Sequence, residues 1–218
     1  DLMWRIDEPE AAEDEAPEAA TRRAWLLSQK TRLAVSLLRY CDEMPVDVAF
    51  YTAGVFCRKS GWTGMAHVFF NRYLDLAEAL RDTDGTLAIE NADFEFTDIP
   101  YDFSLPYESE LTEAQCDEGS EWMLTATLDP HTGATLRMRA CPSCSQDVYE
   151  ASVICHHCQH VSDTCIVTGY PVLPDASIAC PSCRRTANRP AWNRHVRETH
   201  RCPWCHSEAR PDFSGGSE

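Results

Sequence analysis

The chain has 218 residues and a net charge of −16, and almost all of this charge lies in its first part. Residues 1–120 carry 10 Lys and Arg against 25 Asp and Glu, whereas residues 121–218 carry 9 against 10. Such an acidic balance disfavours binding to phosphate backbones and anionic membranes. Without a membrane-length apolar run or a signal-peptide pattern, we expect a soluble chain. The start at Asp1 suggests a piece of a longer protein.

Residues 1–20 are rich in Glu, Ala and Pro and predict a poorly ordered segment or a single helix. Residues 21–81 predict helices, with Thr21 as the first N-cap, Pro45 at the start of the second helix and Gly61 at its end. The short connections favour helical hairpins of the tetratricopeptide (TPR) kind, at the end of a solenoid.

Residues 82–120 alternate aromatic, acidic and proline residues too irregularly for a helix. We interpret them as an extended strap that docks its aromatic side chains on the helices, with a partner-binding peptide as the alternative. The aromatic residues are Phe94, Phe96, Tyr101, Phe103 and Tyr107. Residues 121–140 alternate apolar and polar side chains around a D-P-H-T-G turn, which predicts a β-hairpin.

The strongest signal is a set of four C-x-x-C pairs after residue 140. In a chain without an export signal, such pairs indicate metal ligands rather than disulfides, and zinc favours four thiolates in a tetrahedron. Pairing of neighbours predicts about two zinc ions per chain. The predicted ligands are Cys141, Cys144, Cys155 and Cys158 at one site, and Cys180, Cys183, Cys202 and Cys205 at the other.

Other ligand sets are also compatible with the spacing. The pairs could interleave in a cross-brace, or Cys180 and Cys183 could join His195 and His200 in a nucleic-acid-binding finger. The region 184–201 holds six arginines and one acid, Glu198, which would suit a phosphate. The finger would leave Cys202 and Cys205 without a metal. A single finger on an acidic chain is also poorly suited to bind duplex DNA, so nucleic-acid binding is the weakest hypothesis. His156, His157 and His160 lie beside predicted ligands and could replace one.

A fifth pair is incomplete, because Thr168 stands where a cysteine would follow Cys165-Ile166-Val167. Residues 161–210 resemble a RING finger or U-box, with Cys202-Pro203-Trp204-Cys205 as the terminal ligand pair and the third pair missing. The resemblance implies that one zinc site is lost and that the Thr168 hydroxyl bonds the loop backbone instead. By position, an apolar trio of Val167, Trp192 and Pro203 would bind a ubiquitin-conjugating enzyme, unless Trp192 is a core anchor. His206 departs from the usual arginine after the last ligand.

Three segments, residues 69–80, 91–106 and 165–173, resemble the C-terminal region of the intraflagellar transport protein 172 family. The cysteine pattern also resembles the ends of subunits of the retrograde transport complex. The first resemblance implies a ciliary scaffold in cilium, flagellum and basal body, with a cytoplasmic pool. Its implied partners are other transport subunits and ubiquitin. A ubiquitin ligase without its own nucleophile is the alternative, and no catalytic residue is expected.

The predicted fold class is therefore α+β. TPR-like helical hairpins at 21–81 and the strap at 82–120 are followed by a hairpin and zinc ribbon at 121–160. A U-box/RING-like domain at 161–210 and a tail at 211–218 complete the chain.

Overall fold

A computed structural model describes residues 16–82, 89–101, 105, 109–128 and 133–213. The chain divides into two compact units, residues 1–137 and 138–218. The described residues form five α-helices and two small antiparallel sheets, which is the predicted α+β class. Among these helices, none has the length and apolar character that a membrane crossing requires.

The first unit is helical. Its helices are α1 (Pro17–Leu37), α2 (Val46–Lys59), α3 (Thr63–Arg81) and α4 (Glu113–Thr127), with single 3-10 turns at Leu38–Tyr40 and Ala92–Phe94. Helix α2 packs against both α1 and α3, and α4 packs against α3. Helices thus cover most of the predicted helical region 21–81.

Helix α1 begins earlier than the sequence predicts, so the assignment of Thr21 as its N-cap is wrong. Ala16 occupies the N-cap and Pro17 the first turn, where the fixed φ of proline suits a helix start. The Thr21 hydroxyl instead donates to the Pro17 carbonyl at 2.8 Å. The other two signals are confirmed, since Pro45 is the N-cap of α2 and Gly61 adopts a φ of +70° just after its end.

The core of the first unit is aromatic. Tyr51 on α2 lies edge-on to Phe70 and Tyr73 on α3, with ring centroids 5.9 and 5.3 Å apart. A Cβ on Gly54 would lie 3.0–3.1 Å from the Phe70 ring, so the missing side chain lets α2 and α3 approach closely. From α4, Trp122 adds its ring at 5.1 Å from Phe70.

Among the described aromatic residues of the strap, Phe94 is the one buried against the helices. Phe94 is 2% exposed and lies edge-on to Phe50, while the buried Arg72 places its guanidinium 5.2 Å from the Phe94 ring. Phe96 and Tyr101 are about half exposed. Two further predicted anchors, Phe103 and Tyr107, lie outside the described residues.

The predicted strap end and the predicted β-hairpin are wrong where they meet, because residues 113–127 form α4. Thr112 and Gln115 make a capping box: the Thr112 hydroxyl accepts from the Gln115 N–H at 3.3 Å, and Gln115 accepts from the Thr112 N–H at 3.0 Å. Gly119, Met123 and Ala126 then bury one helical face. The D-P-H-T residues of the predicted turn, 129–132, lie outside the described residues, and residues 138–140 pair further along the chain.

The second unit is built from short ladders and one helix. Strand β1 (Met138–Ala140) pairs with β2 (Asp147–Tyr149), and β3 (Ser177–Ala179) pairs with β4 (Thr186–Asn188), both antiparallel. Helix α5 (Arg189–Thr199) follows and inserts Trp192 and Val196 into the core.

Two helical glycines give a matched test of the close packing. Gly119→Ala would place its Cβ at ordinary contact distances of 3.4–3.5 Å, so we expect it to raise the free energy of unfolding by up to about 1 kcal/mol. Gly54→Ala gains the same helix propensity, but its Cβ would lie only 3.0–3.1 Å from the ring of Phe70. Because Phe70 is fully buried between Tyr51 and Trp122, we expect a net loss of about 1–3 kcal/mol. Urea unfolding followed by far-UV circular dichroism measures both, and equal stabilisation by the two changes would contradict the packing described.

Candidate metal centres

Five turns in the second unit share one backbone geometry, and we call them knuckles. In each, the first cysteine donates its N–H to the carbonyl five residues later at 2.8–2.9 Å. Its own carbonyl accepts the N–H of the residue four positions later at 2.8–3.0 Å. The five first cysteines are Cys141, Cys155, Cys165, Cys180 and Cys202.

The fourth residue after each first cysteine has a left-handed backbone, which reverses the chain. The φ values are 60° at Ser145, 58° at Gln159, 70° at Gly169, 63° at Arg184 and 57° at His206. A residue with a Cβ pays about 1–2 kcal/mol for this conformation, whereas glycine does not. Only the knuckle that starts at Cys165 has glycine at this position.

Four knuckles assemble into two cysteine tetrads, in which the four Sγ atoms lie within 4.8 Å of one another. The tetrads contain the eight predicted cysteines, grouped as neighbouring pairs. Across the first, Cys141–Cys158 and Cys144–Cys155 lie 3.8 Å apart, and across the second, Cys180–Cys205 and Cys183–Cys202 lie 3.9 Å apart. A tetrahedron with Zn–S bonds of about 2.3 Å requires sulfur separations of about 3.8 Å. The two tetrads therefore fit about two zinc ions per chain.

Within each tetrad the pKa values of the thiols move in opposite directions: burial raises those of Cys144 and Cys202 to about 12, whereas hydrogen bonds lower those of Cys141 and Cys205. The N–H groups of Cys144 and Ser143 lower the pKa of Cys141 to about 6. Ser207 lowers the pKa of Cys205 to about 6 through its side chain and its backbone. Because the thiolate is the form that binds zinc, both effects favour coordination near neutral pH.

The other ligand sets do not occur. Interleaved pairs would need sulfurs that the tetrads keep apart, and no histidine joins either tetrad within the described part of the chain. His195 is half-buried on α5, where burial lowers its pKa, and His200 is an exposed C-cap residue. The rings of His156 and His157 contact each other with centroids 3.8 Å apart and planes tilted by 42°, and His160 also lies outside the tetrads.

The fifth knuckle keeps its shape without a metal site. Thr168 is 1% exposed, and its hydroxyl accepts the N–H of Tyr170 at 3.3 Å. The Sγ of Cys165 accepts the N–H of Asn188 at 3.2 Å. As the sequence suggests, the threonine hydroxyl bonds the loop backbone where a metal-bound sulfur would otherwise stand.

The three predicted partner-binding residues are not presented together on the surface. Trp192 is 1% exposed, and its Nε1–H donates to the Arg210 carbonyl at 3.3 Å. Val167 is 8% exposed, and Pro203 is half-buried. Trp192 thus occupies the place of the core anchor that the sequence left open.

The C-terminal segment explains why Trp192 is covered. Ala209 is buried in the core, and Asn193 makes two hydrogen bonds of 2.7 Å with the backbone of Asp212. Residues 209–212 are thereby held along α5. The RING-like pattern ends at Cys205, whereas the residues that cover Trp192 are 209–212. The pattern alone therefore could not predict that Trp192 is buried.

Sequence reasoning also missed an exposed pair. Trp204 is 56% exposed, and the Arg185 guanidinium lies 3.8 Å from its ring centroid. The signal was present as an aromatic residue between two metal-binding cysteines.

Comparison with known proteins finds a matching family model and several related proteins. A family model described as "IFT121, second zinc finger domain" matches residues 163–210, which include the metal-free knuckle and the second tetrad. Intraflagellar transport protein 172 of Chlamydomonas reinhardtii is 40% identical over 156 residues, or 71% of this chain and 9% of that protein. Its Homo sapiens homolog is 36% identical over 80% of this chain and 10% of that protein. Intraflagellar transport protein osm-1 of Caenorhabditis elegans is 33% identical over 64% of this chain and 8% of that protein.

The chain is related to intraflagellar transport protein 172. It spans about a tenth of the length of the curated relatives it matches. The expected resemblance to this family is confirmed.

Metal content distinguishes the two tetrads from the fifth knuckle. Elemental analysis should find about two zinc ions per chain. Cys180→Ser should leave about one, because the three remaining thiolates bind zinc more weakly than a complete set of four. The same variant should lose structure in 161–210 but keep the helical circular dichroism of the first unit. The control is Cys165→Ser, which should retain both ions, and loss of zinc from this control would refute the tetrads described.

The Thr168 hydroxyl gives a test that is independent of metal. Thr168→Val keeps the shape but removes the hydroxyl that accepts the buried Tyr170 N–H, so the free energy of unfolding should fall by about 1–3 kcal/mol. Zinc content should stay unchanged. Thr168→Ser retains the acceptor and should stay close to the wild type in urea unfolding. Loss of zinc from the valine variant would instead indicate that Thr168 supports a metal site.

Proposed function

We propose that the chain is a scaffold and interaction module of the intraflagellar transport machinery, working in cilia and flagella. The observation that carries this proposal is its relation to intraflagellar transport protein 172 over most of its length. A helical unit followed by a metal-stabilised unit suits a binding role, and both tetrads are complete four-thiolate sets that leave no open position for catalysis.

The helical unit acts as the end of a TPR-like solenoid in this proposal. Its support is the close α2–α3 approach at Gly54, which resembles the small-residue contacts between the helices of a repeat. Helix α4 then packs against α3 and, with its capping box, provides a stable closing element. Solenoids need such terminal elements to cover their last apolar face.

The second half of the metal-binding unit acts as a U-box-like domain. Its support is the order of its parts: a metal-free knuckle at Cys165, one zinc site, and α5 between the two ligand pairs of that site. A U-box replaces zinc by hydrogen bonds and packing, and the Thr168 and Cys165 contacts are of this kind.

Ubiquitin or another transport subunit is the partner we propose for this domain. The accessible part of the predicted face is Pro203, at the end of the second tetrad. Recruitment of a ubiquitin-conjugating enzyme through Trp192 is the less favoured role, because residues 209–212 cover that side chain.

A ubiquitin titration tests the domain assignment. Isotope-labelled ubiquitin should show chemical-shift changes on addition of the zinc-loaded chain, and Pro203→Ala should weaken the binding several-fold because it removes the accessible apolar contact. The matched control is Pro142→Ala, which alters the same position in the first knuckle. Equal binding by both variants, or none by the wild type, would exclude ubiquitin recognition at this face.

The transport role itself is tested in cells. A tagged chain expressed in ciliated cells should co-purify with intraflagellar transport subunits, and Cys180→Ser should reduce the recovery if the metal-binding unit contributes to assembly. Recovery of the wild-type chain without any transport subunit would contradict the scaffold proposal.

A further inference from the structure

The knuckle that starts at Cys202 presents a large apolar side chain to solvent. Trp204 is 56% exposed although it lies between two metal-binding cysteines. Its own N–H donates to the Cys202 Sγ at 3.4 Å, so its backbone is fixed by the metal site. An exposed tryptophan on a rigid turn gives a large contact area with little conformational freedom to lose on binding.

A cation is stacked on this indole from the neighbouring knuckle. The Arg185 guanidinium lies 3.8 Å from the Trp204 ring centroid. Arg185 is itself held in place, because its carbonyl accepts the Cys180 N–H at 2.9 Å. Cys180 and Cys202 belong to the same tetrad, so one metal site positions both the cation and the aromatic ring.

The segment that carries Arg185 is rich in arginine. Residues 184–201 contain six arginines and one acid. Arg189 pairs with Asp212, 3.7 Å away, and Arg197 lies over the ring of Phe213, 5.1 Å away. Arg184 and Arg185 are both exposed, and among the described residues neither forms a salt bridge. Their charges are therefore available to a partner.

We propose that Arg184, Arg185 and Trp204, which we call the Trp204 face, bind an acidic peptide that carries an apolar side chain. A guanidinium stacked on an aromatic ring keeps its N–H edge for bidentate hydrogen bonds to a carboxylate. The indole covers the apolar side chain of the same peptide. This site neighbours Pro203 of the predicted face in the same knuckle, but it takes a different ligand and does not depend on ubiquitin recognition.

An acidic peptide fits better than a nucleic acid. The chain as a whole carries a charge of −16, which repels a long polyanion. A short peptide meets mainly the local positive charge, since fields of more distant groups are screened beyond about 10 Å at 0.1 M salt. Single-stranded nucleic acid also stacks on tryptophan and serves as the competing ligand in the test.

Arginines near a zinc site can also stabilise the metal site itself, and the test must distinguish this role from peptide binding. Zinc with four thiolates carries a net negative charge, and nearby guanidinium groups lower its electrostatic energy. In that case Arg185→Ala would weaken zinc retention rather than peptide binding. Zinc content must therefore be measured in each variant.

Fluorescence anisotropy of the zinc-loaded full chain tests the proposal. The probes are a labelled synthetic peptide of glutamates flanking one phenylalanine, its glutamine counterpart, and a labelled oligo-dT strand. The glutamate peptide should bind best, and Trp204→Ala and Arg185→Ala should each weaken it about tenfold or more without loss of zinc. The matched control Arg210→Ala removes an exposed arginine elsewhere in the unit and should change binding less than about twofold.

Several results would overturn the assignment. These are no binding of the glutamate peptide, equal binding of the glutamine peptide, tighter binding of oligo-dT, and zinc loss in Arg185→Ala. Unchanged binding in Trp204→Ala would also refute it. None of these results bears on the ubiquitin titration, so the two proposals fail separately.

Discussion

Tetrahedral coordination by thiolates is the interaction on which the second unit depends. Around the first tetrad, one small buried apolar cluster consists of Cys141, Val148 and Cys155, with Cys144 packed against it. So small a core cannot offset the conformational entropy of an ordered ribbon. Structural zinc sites supply about 10–16 kcal/mol of apparent binding free energy, which becomes folding free energy. The metal thus takes the place of a hydrophobic core in this region.

The metal-free knuckle shows what replaces zinc when a ligand is absent. Here the left-handed position is Gly169, which avoids the cost that Ser145, Gln159, Arg184 and His206 pay in the other knuckles. Its tip residue is also different: Val167 is buried, whereas the tips of the metal-binding knuckles are exposed, at Ser143, His157, Ser182 and Trp204. In this knuckle, an unstrained turn, a hydroxyl acceptor and a buried tip residue together provide the stabilisation that a metal ion provides in the others.

The sequence predicted what is local and missed what depends on distant packing. The spacing of the C-x-x-C pairs predicts both tetrads as neighbouring pairs. Pro45, by its restricted φ, and Gly61, by its freedom to adopt a positive φ, mark the bounds of α2. The region 121–127 alternates like a strand, yet a capping box and the burial of Met123 make it helical. The burial of Trp192 requires residues 209–212, which lie beyond the RING-like pattern.

The two tryptophans of the zinc-binding half illustrate how position in a turn decides the role of a side chain. Trp192 projects from α5 into a core, and its indole N–H donates to the Arg210 carbonyl. The free energy gained by burying this side chain therefore stabilises the fold. Trp204 occupies a knuckle tip, and in the four metal-binding knuckles the tip residue is exposed. Its apolar area is only partly covered in the folded chain, by the stacked Arg185. The free energy of burying the remainder is therefore available to binding, and the guanidinium beside it selects for acidic partners.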